Sequence, residues 1–361
     1  MSGDRTVTVP ERRRGALNAV RTMGRALLQG AVALLLLALL LTVSGQRTGA
    51  AMAALMNGAV GSWYAISSVT MVRAIPLALA GLAVSLAFRA GILNIGVEGQ
   101  LLAGAAAATV TALAAPQLGL FTIPVVLVAG AVAGAVWAGI AAVLRQRFGV
   151  LEVISTIMLN YVALHGVGYL VRGPLQEAAH IFPQSFIIAK AAQLPAVIPG
   201  TRLHLGFLLA IALAVLLWWW LRDTAGGFQL RAVGANARAA ASTGLINVLR
   251  TTTIAFLASG AIAGVAGASE LSGVTYSLYE NISPGYGYTA IAVALLARLH
   301  PLGVLVVALL FGALEAGANA MQRDAGVPAV LVSVVEALLI LMVLVAGHWR
   351  SRAMTPAESG T

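Results

Sequence analysis

Apolar segments separated by short polar turns recur from residue 26 to residue 346. A chain built this way must satisfy its backbone hydrogen bonds without help from water, which leaves helices as the economical spanning structure. Ten segments can be drawn, at 26–43, 72–88, 101–115, 121–144, 150–171, 205–221, 252–268, 286–297, 302–320 and 329–346. Most approach the ~20 residues that cross a bilayer as a helix. The segment 286–297 is short enough to be a half-helix instead of a span. Composition agrees, because 60% of residues are hydrophobic and only 9% charged, against about 25% charged in a soluble domain. The expected fold is therefore all-α, a polytopic integral membrane protein of about ten transmembrane helices. It divides into a basic N-terminal segment 1–25, a transmembrane domain 26–347 and a tail 348–361. The run at 26–43 exceeds a signal-peptide core and is followed by further spans, so it is expected to be a retained first helix.

Orientation follows from the basic residues. With the N-terminus cytoplasmic, sixteen of the 22 Lys and Arg residues fall on the inner side and six on the outer side. The C-terminus is then also cytoplasmic. The outer loop 172–204, with Pro174, Pro183, Pro195 and Pro199, has the composition of an ordered cap, and it reads either as a docking surface or as a plain connector. The inner loop 222–250 is Ala-rich and Arg-containing beyond Gly226 and Gly227, which favours short helices at the membrane face.

Several chemistries are excluded by what is missing. Cysteine is absent, so there is no thiolate nucleophile and no Cys-based metal site. Lys190 is the sole lysine and has no glycine-rich run before it, so the chain holds no phosphate-cradling loop of a P-loop ATPase. The hydrolase and metalloprotease signatures are missing too. The arginines are scattered between apolar spans, unlike the clustered patch of a nucleic-acid binder.

The informative residues are those that cost energy in a membrane, on the order of 2.5–3.5 kcal/mol for a charge at the bilayer centre. They are Glu98, Glu152, Glu270, Glu315 and Glu336. Glu98 lies in a stretch from Phe88 to Gln100 where Gly91, Gly96 and Gly99 interrupt two apolar segments, a pattern that predicts a broken-helix junction near 89–100. Irregular backbone there either lines a transport path or gate, or is a surface turn in which Glu98 pairs with Arg89. Farther on, Glu152, Ser155 and Thr156 share a helix face, with Asn160 one turn beyond. Such a polar stripe either lines a pathway or bonds a neighbouring helix. Glu315 and Glu336 have no polar neighbours in the sequence, and His165 reads as an interhelical bonding residue.

Four stretches carry a resemblance to a known family. Phe88-Arg89-Ala90-Gly91 with Asn94-Ile95-Gly96-Val97-Glu98-Gly99-Gln100 is similar to a signature of permease subunits of ABC importers for nucleosides, within the wider sugar and branched-chain amino-acid permease group. Glu152 to Tyr161 resembles the next signature. Leu230 to Asn236, with Ala239, Ala240 and Gly244, resembles the cytoplasmic coupling segment, with Ala237 where the family usually has Pro. Ala290 to Arg298 with His300 to Gly303 resembles a fourth.

The resemblance implies a non-enzymatic transport subunit in a bacterial-type plasma membrane. Its implied partners are a second permease, related or identical, an ABC ATP-binding subunit and an extracytoplasmic substrate-binding lipoprotein. No cofactor is expected on this chain, since ATP and Mg belong to the partner ATPase. Residues for the solute pathway are Asn94, Glu98, Gln100, Ser155, Thr156 and Asn160, acting by hydrogen bonding to a polar solute or by holding the junction. Residues for coupling to the ATPase are Arg231, Gly234, Asn236, Ala239, Ala240 and Gly244. The alternative is a proton-coupled secondary transporter using Glu98 or Glu336 at a discontinuous helix.

Overall fold

The computed structural model describes residues 35–36, 38–328, 330–331, 333–334 and 337. The basic segment 1–25, much of the first apolar run, most of the last one, Glu336 and the tail 348–361 lie outside the described residues. Helices account for nearly all the regular structure among the described residues, with only isolated β-bridges beside them. The order is α1 (Thr48–Val60), α2 (Met71–Arg89), α3 (Val97–Ala114), α4 (Thr122–Phe148), α5 (Glu152–Arg172), α6 (Gly206–Asp223), α7 (Ala225–Ala235), α8 (Ala237–Ser242), α9 (Val248–Glu270), α10 (Tyr286–Leu296) and α11 (Pro301–Ala325). A π-helical turn, Ala65–Thr70, leads into α2, and another, Leu271–Thr275, extends α9.

Seven helices among the described residues are long and apolar enough to cross a membrane: Ala65–Arg89, α3, α4, α5, α6, Val248–Thr275 and α11. The segment expected at 286–297 is the eleven-residue α10. At 1.5 Å per residue it is ~16 Å long, about half the ~30 Å hydrocarbon thickness, so the half-helix reading holds. The loop 222–250 contains the short helices α7 and α8, as its composition predicts. A thirteen-residue helix, α1, lies where no element was expected.

The chain divides into two compact units, Leu55–Gly317 and a smaller one of residues 1–54 with 318–361. Among the described residues of the smaller unit, 38–43, 48–54 and 318–325 are helical. In the larger unit, α9 packs against α3 and α4 through glycines that leave no room for a side chain. A β-carbon on Gly264 would overlap the Gly130 carbonyl, and one on Gly267 the Leu101 carbonyl. Lipid gives no hydrophobic drive for helices to associate, so this close backbone approach and its dispersion contacts hold α3, α4 and α9 together.

The long loop between α5 and α6 is stitched to the segment after α9 by backbone bonds of 2.8 Å from Ser185 to Leu278, Ile188 to Tyr276 and Leu194 to Ser272. His204 closes it. Its ring is buried against Gly273, and Nδ1 accepts from the Gly206 N–H at 3.2 Å. Burial, with a smaller contribution from Arg202, lowers the imidazole from 6.5 to about 4.

Two measurements check these contacts. Gly264→Val should prevent a monodisperse preparation in detergent, whereas Gly166→Val, at a glycine with open space around it, should not. The His204 contribution to stability is fully present above 6.5 and is lost as pH falls through about 4, because the unfolded state takes up the proton first. The thermal midpoint should therefore drop across that window, and His204→Asn should lack that component.

Candidate functional site

Helices α2 and α3 are separated by seven residues, of which Ala90, Gly91 and Ile92 still bond back to α2 through their N–H groups. Gly91, at φ +76°, turns the chain out of α2, and Ile92 bonds back to the Ala87 carbonyl. From Ile92 to Gly96 the backbone is irregular, and Asn94 is wholly buried. Side chains replace the missing ladder. The amides of Asn94 and Gln100 form a reciprocal pair, Nδ2 to Oε1 and Nε2 to Oδ1, both 3.0 Å. Asn94 Oδ1 also accepts from the Gly96 N–H, and its Nδ2 donates to Ser259 Oγ on α9, which donates to the Ala83 carbonyl of α2 at 2.7 Å. One amide therefore ties α2, α3 and α9 to the break.

Asn160 serves the other side of the junction. Its Oδ1 accepts from the Gly99 N–H at 2.8 Å, while Nδ2 donates to the Ile95 carbonyl at 2.9 Å and to the Tyr288 hydroxyl at 3.2 Å. Glu98 completes the set. Its carboxylate, 7% exposed, accepts from the Gly287 N–H at 2.6 Å. Gly287 is the second residue of α10, so Glu98 caps one of the unpaired donors at the start of that half-helix and adds a negative charge at its positive end. A β-carbon on Gly287 would overlap the Glu98 backbone, which is why glycine stands there.

Of the polar stripe on α5, then, Asn160 bonds its neighbours, whereas Ser155 and Thr156 are buried and return their hydroxyls to the Glu152 carbonyl at 3.2 and 2.6 Å. Glu152 itself pairs with Arg145 at 3.4 Å. Arg89 does not pair with Glu98; its Nε donates to the Leu299 carbonyl at 2.6 Å. His165 lies on an exposed face, not between helices.

The segment after α6 packs directly beneath this junction. A β-carbon on Gly234 of α7 would overlap the Arg89 carbonyl, and one on Gly91 would stand 3.5 Å from the Gly234 α-carbon. Asn236 ends α7 and caps α8, its side-chain oxygen accepting from the Ala239 N–H at 3.0 Å. Ala240 is buried, Ala239 exposed, and Gly244 closes the segment at φ +68°. Arg231 is half-buried and near enough to Arg89 for their charges to interact. Beside them a groove of about 580 Å³ runs between Gly91, Arg145, Gln146, Asn236, Thr252 and Thr253.

At the opposite end of α2 is a polar cavity of about 320 Å³ that the sequence did not disclose. Ser68, Arg73, Arg202, Glu270, Asn281 and Tyr286 line it. Glu315, without polar company in the sequence, bonds Arg73 at 3.4 Å across 242 residues of chain.

Residues 66–345 match the family model for the permease component of branched-chain amino acid transport systems. That is most of the chain, and it contains the junction, the α5 stripe and the α7–α8 segment. The chain belongs to this permease family. It is similar to a guanosine ABC transporter permease protein of Bacillus subtilis, 39% identical over 85% of this chain and 88% of that one. A glucose ABC transporter permease protein of Haloferax volcanii is 40% identical over 76% and 74% of the two chains. A nucleoside ABC transporter permease protein of Lactococcus lactis is 33% identical over 75% and 76%. The chain is thus a multi-pass membrane permease of the ABC class, a transport component and not an enzyme. Membership implies, in general terms, an ATP-binding subunit and a substrate-binding partner. Nothing in these comparisons supports the proton-coupled alternative.

The polar side chains of the junction were visible in the sequence, but Ser259, Tyr288 and Gly287 were not singled out. The Pro284-Gly285 pair before Tyr286 was the available sign that a helix begins there and needs a cap.

Removing the junction's bonds should show in stability. Asn160→Leu strands the Gly99 N–H and the Ile95 carbonyl, at about 1–3 kcal/mol for each buried orphan. It should lower the thermal midpoint more than Thr156→Val, which removes only a hydroxyl bonded within its own helix. Equal effects would show that the Asn160 bonds contribute nothing particular.

Proposed function

We propose that this chain is the permease subunit of an ATP-driven importer that moves a neutral, hydroxyl-rich solute of the nucleoside class inward. The observation that carries the reading is the backbone contact between Gly234 and the Arg89–Gly91 turn, because it joins an exposed helical segment to the break in the spans without an intervening flexible residue. With both termini cytoplasmic, the α7–α8 segment faces the cytoplasm, where the ATP-binding subunit is. ATP and Mg bind to that subunit and not to this chain. Arg231, Gly234, Asn236, Ala239, Ala240 and Gly244 form the surface through which its motion is transmitted.

In this reading Asn94, Glu98, Gln100 and Asn160 act by holding the junction, and Ser155 and Thr156 by keeping the adjoining face of α5 compact. A push on α7 moves the Gly91 turn. Since Asn94 is bonded to Gln100 and Ser259, that turn cannot shift without dragging α3 and α9, so nucleotide binding outside the membrane biases one arrangement of the spans over another. A second permease, related or identical, completes the translocation path, and a substrate-binding lipoprotein delivers solute to the opposite face, where the ordered 173–205 loop lies.

The relatives named for guanosine and for nucleosides support a nucleoside, and the one named for glucose belongs to the same class of neutral polyhydroxyl solutes. Accordingly, cells carrying the complete transporter should accumulate radiolabelled nucleoside, and an ATPase subunit lacking its phosphate-binding lysine should abolish it. Gly234→Val should leave ATP hydrolysis by the assembly measurable while reducing uptake at least roughly tenfold, the usual scale of a coupling energy. Uptake that survives the dead ATPase but collapses with a protonophore would contradict the proposal.

A further inference from the structure

The exposed faces of the spans do not share one chemistry. Along the middle of α4 the exposed residues, Val128, Val132, Val136 and Ile140, are all aliphatic, and Leu208, Ala212, Val215 and Leu216 repeat the pattern on α6. Such faces suit lipid. On α5 the exposed face instead carries Tyr161, His165 and Tyr169, one helical turn apart, between Met158 and Arg172. Tyr169, close to one end of the helix, is where a membrane–water interface places tyrosine. The other two are not at an end. Helix α5 runs from Glu152 to Arg172, so its middle residue is Val162, and Tyr161 and His165 stand only ~1.5 and ~4.5 Å from it along the axis. An ionisable side chain at that depth turns into the bundle or into a water-filled cavity. His165 does not turn into the bundle, and among the described residues neither it nor the Tyr161 hydroxyl has a hydrogen-bond partner within the chain.

Tyr288 extends this patch onto α10. It is the third residue of that half-helix and is exposed, its hydroxyl accepts from Asn160 Nδ2 at 3.2 Å, and it is near enough to Tyr161 for the two hydroxyls to interact. We propose that Tyr161, His165 and Tyr288 form one wall of a water-filled path between this chain and the second permease, and that a neutral, hydroxyl-rich solute with a ring passes along it, a proposal that rests on the importer reading above.

The wall's own chemistry defines that class. From Met158 to Tyr169 the exposed face of α5 carries no carboxylate, lysine or arginine, and the charges beyond it are paired, Glu152 with Arg145 and Arg172 with Glu280. A charged solute therefore meets no fixed counter-charge there. Tyrosine hydroxyls both donate and accept, as the hydroxyls of the solute do, and the imidazole keeps at least one N–H donor in either protonation state. The two tyrosine rings supply flat apolar faces for a sugar or a heterocycle to pack on. Asn160, which holds the Tyr288 hydroxyl, also holds the Gly99 N–H and the Ile95 carbonyl, so a solute on this wall lies one hydrogen bond away from the junction.

The absence of cysteine from this chain makes the wall directly testable. The full assembly of this chain with its second permease, ATPase and binding protein is placed in proteoliposomes with His165→Cys, Gly166→Cys or, on the aliphatic face of α4, Val132→Cys. Gly166 shares the exposed face of α5, and a β-carbon there meets open space, so that variant keeps the fold even if His165→Cys does not assemble. Each is treated, with ATP supplied, with a charged methanethiosulfonate, and labelling of this chain is read by mass spectrometry. The reagent needs a thiolate, which an apolar setting disfavours, so the α5 cysteines should react at least roughly tenfold faster than the α4 cysteine. The solute that the unmodified assembly imports should slow the α5 reactions and leave the α4 reaction unchanged. Guanosine and glucose are compared in both uptake and protection. Import of glucose without guanosine would end the nucleoside reading, yet the wall would be supported if glucose slowed the α5 labelling. Labelling of the α5 cysteines as slow as that of Val132→Cys would show that lipid or a dry protein contact covers the face, and fast labelling that the imported solute leaves unchanged would remove the solute from it; either result would overturn the proposal.

Discussion

Two breaks in membrane-embedded helices, one at 90–96 and one at the start of α10, set the terms for the rest of the larger unit. Where the irregular backbone is buried, its N–H and C=O groups must find partners, and side chains supply those that local backbone bonds leave over. Asn94, Gln100, Asn160 and Glu98 provide them, Gln100 by pairing with Asn94 and the other three by reaching another helix. The same bonds that make the break tolerable therefore make it a meeting point of α2, α3, α5, α9 and α10. Glycine is the second half of this solution, because Gly287 and Gly234 let backbone and carboxylate approach where any side chain would collide.

In the proposed function, this arrangement lets a chain with no chemistry of its own serve a transport cycle. The exposed α7–α8 segment meets the Arg89–Gly91 turn, the turn is continuous with Asn94, and Glu98 reaches α10, whose first residue lines the polar cavity. Force applied at one end of α2 thus has a path through packed backbone and hydrogen bonds to the other end. Beside that path, α9 packs on α3 and α4 backbone to backbone through glycines, with no side chain between them to give way.

Much of this was legible in the sequence, for identifiable reasons. Three glycines within ten residues marked the junction, and the composition of the loop at 222–250 indicated its short helices. Costly polar groups such as Asn94, Glu98 and Asn160 drew attention because a membrane gives them no default partner. Partners from distant segments were not legible. Arg73 and Glu315 are 242 residues apart, and Ser259 and Gly287 carry no mark that they face the junction until the helices are assembled. The polar cavity is invisible for the same reason, as its lining comes from four separate stretches of chain. The stripe on α5 was ambiguous between pathway and bonding because spacing fixes only which face is polar, not what lies opposite.

The central claim is that side chains from other helices hold the backbone of the two breaks. Hydrogen exchange of the purified assembly, read by mass spectrometry over peptides covering 92–100 and 285–290, tests it most directly. The account predicts protection there comparable to the neighbouring helices, with Asn160→Leu selectively releasing the 92–100 peptide and Glu98→Leu the 285–290 peptide. Rapid exchange of both peptides in the unmodified chain, matching that of the 243–247 turn, would contradict it.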